Sequence, residues 1–338
     1  MNHQYTSGEP RTAVIILNWN GERLLDEFLP KVIANTPPGL GRIIVADNGS
    51  TDGSIALLRE RYPEVEVIAY PENYGFAEGY NRALADTRYT YTVLLNSDVA
   101  PAPGWLRPLV DFMDANPQAG ACQPKLLSYR EPMKFEYAGA AGGYLDRNGY
   151  PYCRGRIFGV CETDSGQYQQ NAEIDWATGA AMMVRTDLYI QAGGLDPRFF
   201  AHMEEIDLCW RMRLAGYRLY AVPESVCYHL GGGSLPASNP RKTYLNFRNN
   251  LLMLHKNLPD DVRGRKLILR RLLDTLAWAQ FVVTGQWGNA RALLKAHRDF
   301  ARMRKDYPTA TAKVNLLDGR PDILTQFYLC GRKTFDRL

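Results

Sequence analysis

Polar side chains that could bind a ligand follow three short apolar runs near the start of the chain. Each run predicts a buried strand, and the residues that follow are Asn18 with Asn20, Asp47, and Asp98. The carboxyl ends of parallel strands meet at one edge of a sheet, where open α/β folds bind ligands. A single Asp at such a place is commonly a turn or helix-cap residue. Three polar clusters at one edge predict a ligand site instead.

Three further side chains could add chemistry to this edge. Glu204 and Glu205 stand at the expected start of a helix, where neighbouring side chains point about 100° apart, so we expect only one to face the site. His229 ends a predicted strand and could ligate a metal ion, although a lone histidine is more often a packing residue. The Asp98 carboxylate suits a hard divalent cation, which would neutralise charge on a leaving diphosphate.

The elements that must position these residues alternate along the first hundred residues. Apolar periodicity predicts strands at 13–17, 42–46, 65–69 and 91–95, and helices at 22–34, 54–61 and 76–86. This alternation predicts an α/β fold with a doubly wound, mostly parallel sheet and flanking helices. Residues 121–175 predict hairpins and loops. Further strands are predicted at 175–185, 218–222 and 226–229, with a helix from Ile206.

Composition narrows the class of protein. The 338 residues carry 40 Lys and Arg against 36 Asp and Glu, a net charge of +4, so no nucleic-acid partner is expected. The chain shows no signal peptide, no spanning apolar run and no CxxC pair among its six cysteines, which predicts a cytoplasmic protein with reduced thiols. It also lacks GxGxxG and GxxxxGK[ST] after the first strand, which argues against dinucleotide and P-loop sites.

The net charge conceals an asymmetry. Residues 263–305 carry a net charge of +9, so the remainder carries −5. Five cations of this segment recur at helical spacing and form one stripe: Arg291, Lys295, Arg298, Arg302 and Lys305. The stripe fits either the solvated face of packed helices or a surface that binds anionic lipid. With the second alternative, we expect the protein to lie peripherally on the inner face of the plasma membrane.

Five motifs in order resemble the family 2 glycosyltransferases. Four of them resemble the nucleotide-binding half, namely 18–21 (NWNG), 47–54 (DNGSTDGS), 73–81 (NYGFAEGYN) and 94–98 (LLNSD). The fifth, 176–180 (WATGA) followed by 199–208, resembles the acceptor half. The resemblance spans residues 12–258 and is strongest to the rhamnosyltransferase-like enzymes of bacterial cell-surface polysaccharide synthesis.

The resemblance implies a GT-A fold and an inverting glycosyltransferase. The catalytic domain would be residues 1–258, with a nucleotide-sugar half at 12–120 and an acceptor half at 121–258, followed by a basic helical region at 259–338. The donor would be a dTDP- or UDP-linked sugar such as rhamnose, and the cofactor Mg²⁺ or Mn²⁺. The acceptor would be a glycan or glycolipid, growing on a lipid carrier.

The resemblance also assigns roles to single residues. Asp47 would contact the nucleobase, and the loop with Asn18 and Asn20 would line the nucleoside pocket. The donor would also be bound by Asn73, Asn81 and Asn96. The metal ion would be bound by Asp98 and His229. Asn96 stands where the family has its first acidic metal ligand.

On the acceptor side, Glu205 would be the catalytic base, with Glu204 as the alternative, because Glu205 replaces the family's usual Asp. Trp176 would form an apolar platform for an acceptor sugar. Two other classes of protein stay open. A sugar-nucleotide pyrophosphorylase would need a Gly-rich, basic loop where Asn18 to Gly21 stand, and a non-catalytic carbohydrate-binding protein would explain the departures at Asn96 and Glu205.

Overall fold

The computed structural model describes residues 10–85, 87–231, 239–309 and 314–338. Its strands are β1 Thr12–Asn18, β2 Gly41–Asp47, β3 Glu66–Ala69, β4 Tyr91–Asn96, β5 Val99–Pro101, β6 Ala119–Ser128, β7 Gly143–Leu145, β8 Pro151–Cys153, β9 Arg156–Ile157, β10 Val160–Cys161, β11 Ala172–Ile174, β12 Ala181–Arg185 and β13 Arg218–His229. Its α-helices are α1 Glu22–Asn35, α2 Ser54–Arg61, α3 Gly75–Ala85, α4 Leu106–Ala115, α5 Thr186–Gln191, α6 Glu204–Leu214, α7 Pro240–Asn257, α8 Asp260–Val283 and α9 Trp287–Met303.

The main sheet has the order β11-β13-β6-β12-β4-β1-β2-β3, with β5 paired to β13. Strands β4, β1, β2 and β3 are parallel, whereas β12 runs antiparallel to β4. The parallel register places Asn18 beside Asp47 and Leu17 beside Asn96. The polar residues after β1, β2 and β4 therefore share one sheet edge, and the predicted α/β fold with a mostly parallel sheet is confirmed.

The second half of the sheet differs from the prediction in three places. Residues 175–180 form a loop, and β12 begins only at Ala181. The strands predicted at 218–222 and 226–229 are one strand, β13, whose register on β6 shifts between Val222 and Val226. Part of the region predicted as loops is β6, which lies inside the sheet because both of its edges are paired, to β13 and β12.

The C-terminal helices pack against the part of the chain that contains the main sheet. Leu258, Phe300 and Leu317 belong to the same hydrophobic core as Ala13 and Ile15 of β1. Side chains on both sides of residue 258, the predicted domain boundary, thus share one core. Within the described ranges, no helix has the length and apolar character needed to cross a bilayer.

A buried polar cluster fixes α8 to the rest of the molecule. Arg270 and Asp274 are both buried, with Arg270 Nη2 3.3 Å from Asp274 Oδ1. The Arg270 guanidinium also lies 3.8 Å from the centre of the Tyr150 ring. His297 of α9 approaches the other oxygen of Asp274 at 3.0 Å. Removing one member would leave a buried charge without its partner, which is destabilising. Because Tyr150 and His297 lie outside α8, their contacts with Arg270 and Asp274 make this helix part of the folded unit.

Candidate active site

The loops after β1 and β2 are locked together by hydrogen bonds. Asn18 Nδ2 donates to Asp47 Oδ2 at 2.8 Å, and the Ser50 amide donates to Asp47 Oδ1 at 2.9 Å. Asn20 has a positive φ of 50°, and its side-chain oxygen accepts from the Thr51 amide at 2.7 Å. Asn18 and Asp47 are buried. These residues therefore form a hydrogen-bonded surface at the sheet edge where the sequence predicts that the nucleoside binds.

Two residues of this edge lie within the motifs but were not singled out by sequence reasoning. Trp19 is 57% exposed, so a flat aromatic face stands free beside the Asp47 loop. Asn48 is buried, and its side chain makes three hydrogen bonds, each at 3.0 Å. Its Nδ2 donates to Asn73 Oδ1 and the Gly75 carbonyl, and its Oδ1 accepts from the Tyr74 amide. Trp19 could have been identified from the sequence, because a large aromatic side chain in a predicted turn is not expected to lie in the core.

Asn73 and Asn81 have structural partners in this conformation. Asn73 Oδ1 accepts from the Gly75 amide at 2.8 Å, which shapes the turn into α3. The Asn81 side chain exchanges hydrogen bonds with the backbone of Leu195, and its oxygen also accepts from the Tyr189 hydroxyl at 2.7 Å. These bonds tie α3 to the second half of the sheet. Direct contact of either Asn with the donor stays a prediction.

Asp98 and His229 lie next to each other where the short strand β5 pairs with the end of β13. Because β5 pairs with the end of β13, Val99 stands opposite His229, and Asp98 Oδ1 lies 3.1 Å from His229 Nε2. Glu136 Oε2 lies 3.2 Å from His229 Nδ1, which has no partner in hydrogen-bond geometry. All three side chains are buried. Sequence reasoning missed Glu136, which lies in a loop-rich segment without a recognisable pattern.

The electrostatics of this cluster favour positive charge between the two carboxylates. Burial alone would lower the pKa of His229, but the carboxylates of Asp98 and Glu136 on its two sides outweigh it and raise the pKa to about 10. Burial acts to raise the pKa of Asp98, and the His229 imidazole overcomes it, so this pKa is lowered. The two carboxylates therefore favour positive charge at the buried imidazole between them.

Asp98 and His229 fit the chemistry of a Mg²⁺ or Mn²⁺ ligand set. His229 Nε2 and the Asp98 carboxylate face each other at 3.1 Å, and both are suitable donors once the imidazole is neutral. In the described part of the chain, no group of three or more His, Cys, Asp or Glu side chains is arranged to hold a metal ion by itself. An ion held here would need oxygen atoms of a bound ligand to complete its coordination, which is typical of Mg²⁺ sites on phosphates.

Glu204 and Glu205 begin α6 and lie beside this edge. An added Cβ on Gly179 would be 3.7 Å from Glu205 Cβ and equally far from the Phe76 ring. The carbonyl of the neighbouring Ala180 accepts a hydrogen bond from the backbone amide of Asn96 at 3.0 Å. Glu205 therefore lies next to the loop that borders the end of β4.

The two carboxyl groups differ in their titration. Each has one buried oxygen, Oε2, without a hydrogen-bond partner. Burial raises the pKa of Glu205 to about 7. The pKa of Glu204 is raised well above its ordinary value, first by burial and then by the Glu205 charge. Burial thus favours the protonated form of both carboxyl groups, and the Glu205 charge adds to this effect at Glu204.

The turn that leads into α6 is strained. Phe200, His202 and Met203 have φ of 68°, 68° and 72°, a region that costs energy for residues other than glycine. Asn249 of α7 holds this turn by donating from its side-chain amide to the carbonyls of Phe199, Ala201 and His202 at 2.8–2.9 Å. Sequence reasoning assigned no role to Asn249.

The structure corrects the role predicted for Trp176. This side chain is only 2% exposed. Its ring fills the space above Gly143, where an added Cβ would lie 2.2 Å from it, and its indole nitrogen donates to the Tyr144 carbonyl at 3.0 Å. A ring packed on this side and bonded at its polar end has no free face for a sugar, so Trp176 is a core residue.

Comparison with known proteins decides the family. Residues 13–182, about half of the chain, match the family described as Glycosyl transferase family 2. The chain belongs to this family. A relative from Mycobacterium tuberculosis, N-acetylglucosaminyl-diphospho-decaprenol L-rhamnosyltransferase, is 28% identical over 233 residues, which are 64% of this chain and 75% of the relative. The resemblance to the rhamnosyltransferase-like subgroup is thereby confirmed.

Solved structures confirm the GT-A-like fold of this family 2 protein. The mannosyltransferase PcManGT from Pyrobaculum calidifontis, in complex with GDP-Man and Mn²⁺, has a TM-score of 0.54 and 17% identity, with 88% of each chain covered. GalNAc-T7 with UDP, GalNAc and Mn²⁺ also has a TM-score of 0.54 at 17% identity, covering 74% of this chain and 48% of that one. At this identity the likeness concerns the fold.

Proposed function

We propose that this glycosyltransferase moves a sugar, rhamnose in the first instance, from a dTDP- or UDP-linked donor to a hydroxyl of a lipid-linked glycan, with inversion at the anomeric carbon. The observation that carries the proposal is the pair Glu204 and Glu205, two carboxyl groups with unpartnered buried oxygens on a strained turn. The pair lies beside the edge with Asp98 and His229. The Mycobacterium tuberculosis relative, named for an L-rhamnosyl transfer to a diphospho-decaprenol acceptor, supports the choice of substrates.

The proposed division of labour follows the two halves of the sheet. Residues 12–120 hold the donor, residues 121–258 hold the acceptor and the base, and residues 259–338 serve the membrane-facing side. The Asp47 loop receives the nucleoside, and the exposed Trp19 ring is placed to stack on a base. Asn48 and Asn73 keep the adjoining turn in shape.

An inverting displacement requires the acceptor hydroxyl to attack opposite the leaving diphosphate, while a carboxylate within hydrogen-bond reach takes its proton. Glu205 meets the chemical requirement, because burial raises its pKa to about 7, close to neutral pH, where a general base is most effective. Asn249 fixes the turn from which Glu205 projects. Correct placement of the base before the substrates bind lowers the entropic cost of reaching the transition state.

A Mg²⁺ or Mn²⁺ ion would be held by Asp98 and His229, where it would neutralise charge that develops on the leaving diphosphate. Glu136 orients the imidazole from the far side, at 3.2 Å from Nδ1. A carboxylate behind a metal-binding histidine sets the tautomer and the ring orientation. The chain thus provides both the ligands and their support.

The proposal is tested by incubating the protein with UDP- and dTDP-sugars, Mn²⁺ and a synthetic acceptor that carries a sugar diphosphate on a short lipid. We expect mass spectrometry to show the acceptor gaining one sugar, with inverted configuration by NMR, and no product after chelation with EDTA. Binding of the nucleotide-sugars without transfer to any acceptor, and without hydrolysis, would favour a carbohydrate-binding protein instead.

We further propose that α8 rests on an anionic membrane surface. Ile268, Leu272, Leu276 and Val283, which we call the α8 stripe, are 63–87% exposed and recur at helical spacing on one face. Exposed Arg265 and Arg271 lie on the same helix. Apolar side chains bordered by cations suit an interface of anionic lipid. At about 1.5 Å per residue the stripe is about 22 Å long.

The basic stripe predicted on α9 has a different setting. Its apolar neighbours Leu293, Ala296 and Phe300 are buried in the protein. The apolar face of α9 is therefore already covered. Truncation after residue 260 would also expose the core, because Phe300 and Leu317 are part of it. Point substitutions on α8 are therefore the sharper test of membrane binding.

We expect the double variant Leu272→Glu/Leu276→Glu to bind vesicles of anionic phospholipid at least tenfold more weakly than the wild-type protein. The reason is that two leucines no longer leave water on binding, at roughly 1.5–3 kcal/mol each. Co-sedimentation measures the bound fraction. Met133→Ser/Ile190→Ser, which alters two exposed apolar residues of the catalytic half, is the matched control and should bind normally. Equal partitioning of both double variants would reject the α8 stripe as the membrane contact.

A further inference from the structure

A cleft of about 390 Å³ lies between α7 and α9, away from the carboxylates of the active site. Its lining includes three cations, one aromatic residue and an apolar floor, and six of these residues are Arg241, Tyr244, Leu245, Arg291, Ala292 and Lys295. We call it the α7–α9 cleft. Its size is within the range of small-molecule sites.

The three cations of the cleft are available to a ligand. Across the described ranges, none of them lies within ion-pair distance, 4.0 Å, of an acidic side chain. The nearby carboxylate of Asp299 accepts from the Tyr244 hydroxyl at 2.9 Å and lies within 4.0 Å of Arg298 and Arg302. Lys295 instead stacks over the Tyr244 ring at 4.8 Å. Unpaired cations around an apolar floor select an anion that carries an apolar group.

One end of the cleft approaches the catalytic turn. The Arg241 guanidinium lies 4.9 Å from the centre of the Phe200 ring. Phe200 begins the strained turn that leads to Glu204 and Glu205, and its ring also borders Gly75 at the start of α3. An anion held at Arg241 would therefore be a short distance along the surface from the base.

We propose that the α7–α9 cleft binds the diphosphate of a lipid-linked acceptor together with the first part of its lipid. Arg241, Arg291 and Lys295 would neutralise the diphosphate, and Leu245 and Ala292 would contact the chain. The sugar of the same acceptor would then extend past Phe200 toward Glu205. This inference rests on the proposed function for its substrate, but its test does not need turnover.

The test measures binding of farnesyl diphosphate to the full chain by isothermal titration calorimetry. Mn²⁺ and a saturating nucleoside diphosphate, UDP or dTDP, are present to occupy the donor site. We expect saturable binding by the wild-type protein and at least tenfold weaker binding by Arg291→Gln/Lys295→Gln. The matched control is Arg298→Gln/Arg302→Gln, which removes two charges from the same helix outside the cleft and should change affinity less than twofold. No saturable binding, or equal losses in both double variants, would overturn the inference.

Two further probes separate an amphiphile site from a site for any anion. Inorganic pyrophosphate and farnesol should each bind at least tenfold more weakly than farnesyl diphosphate, because each offers only half of the recognised chemistry. Pyrophosphate that binds as tightly as the lipid diphosphate would overturn the assignment. Failure of sugar transfer with normal binding would instead reject the proposed function and keep the cleft. In an active enzyme, the cleft variant should raise KM for the lipid acceptor and leave KM for the donor unchanged.

Discussion

Replacing Glu205 with Gln is expected to lower kcat by about 10²–10⁴-fold, the range that general-base catalysis contributes. The amide keeps the size of the side chain but cannot accept the proton of the acceptor hydroxyl. KM for the donor should stay close to that of the wild-type enzyme, because the donor edge is built by the Asp47 and Asp98 loops and not by Glu205. Steady-state kinetics with both substrates varied measure the two effects separately.

The matched variant is Glu204→Gln on the neighbouring residue. Burial and the Glu205 charge raise the pKa of its carboxyl group, so its neutral form is favoured and an uncharged amide of the same size resembles it. We therefore expect Glu204→Gln to retain most of the wild-type kcat. A nearly inactive Glu204→Gln beside a nearly unaffected Glu205→Gln would show that the two roles are exchanged.

The pH dependence follows from the same group. A base acts only when deprotonated, so kcat should rise with pH and level off above about 7, the pKa to which burial raises Glu205. The raised pKa also affects stability. Because the folded state holds the proton more tightly than the unfolded state, the Glu205 contribution to the free energy of unfolding is present below pH 4.5 and lost as pH rises through 7. Glu205→Gln should therefore have a higher Tm than wild type at pH 8, by roughly 1–2 °C per kcal/mol for a chain of this length, but not at pH 4.5.

The first half of the site could be predicted because its elements follow each other along the chain. Strands β1, β2 and β4 end in polar residues, and the rule that parallel strands share a carboxyl edge brings Asn18, Asp47 and Asp98 together without further information. The neighbourhood of Asp98 and His229 has a different origin. It depends on the antiparallel pairing of β5 with the end of β13, a contact across 131 residues that no local pattern reveals. The residue types indicated that each could bind a metal ion, and the family resemblance assigned both to the same one.

The error at Trp176 has a physical reason. An indole in a motif can lie on a binding surface or in the core, and the choice depends on the residue opposite. Here Gly143, 33 positions earlier, leaves the space that the ring fills. Helices α8 and α9 pose the same problem. Periodicity identifies an apolar face on each, but only the packing shows that the face of α9 is covered while the α8 stripe is exposed.

Removal of the Asp98 carboxylate should abolish metal-dependent donor binding. We expect Asp98→Asn to lower kcat by about 10²–10³-fold, as loss of one electrostatic stabiliser of a transition state does. It should also eliminate the rise in Tm that UDP or dTDP produces only with Mn²⁺. The amide has the same shape and can still bond His229, but it loses the buried ion pair with the imidazole, so the metal-free Tm should fall and the Mn²⁺-dependent rise is measured from that lower value. Glu136→Gln, behind the imidazole, should weaken Mn²⁺ binding by the 10–100-fold typical of such support. An Asp98→Asn protein with an unchanged Mn²⁺-dependent Tm shift would place the metal elsewhere.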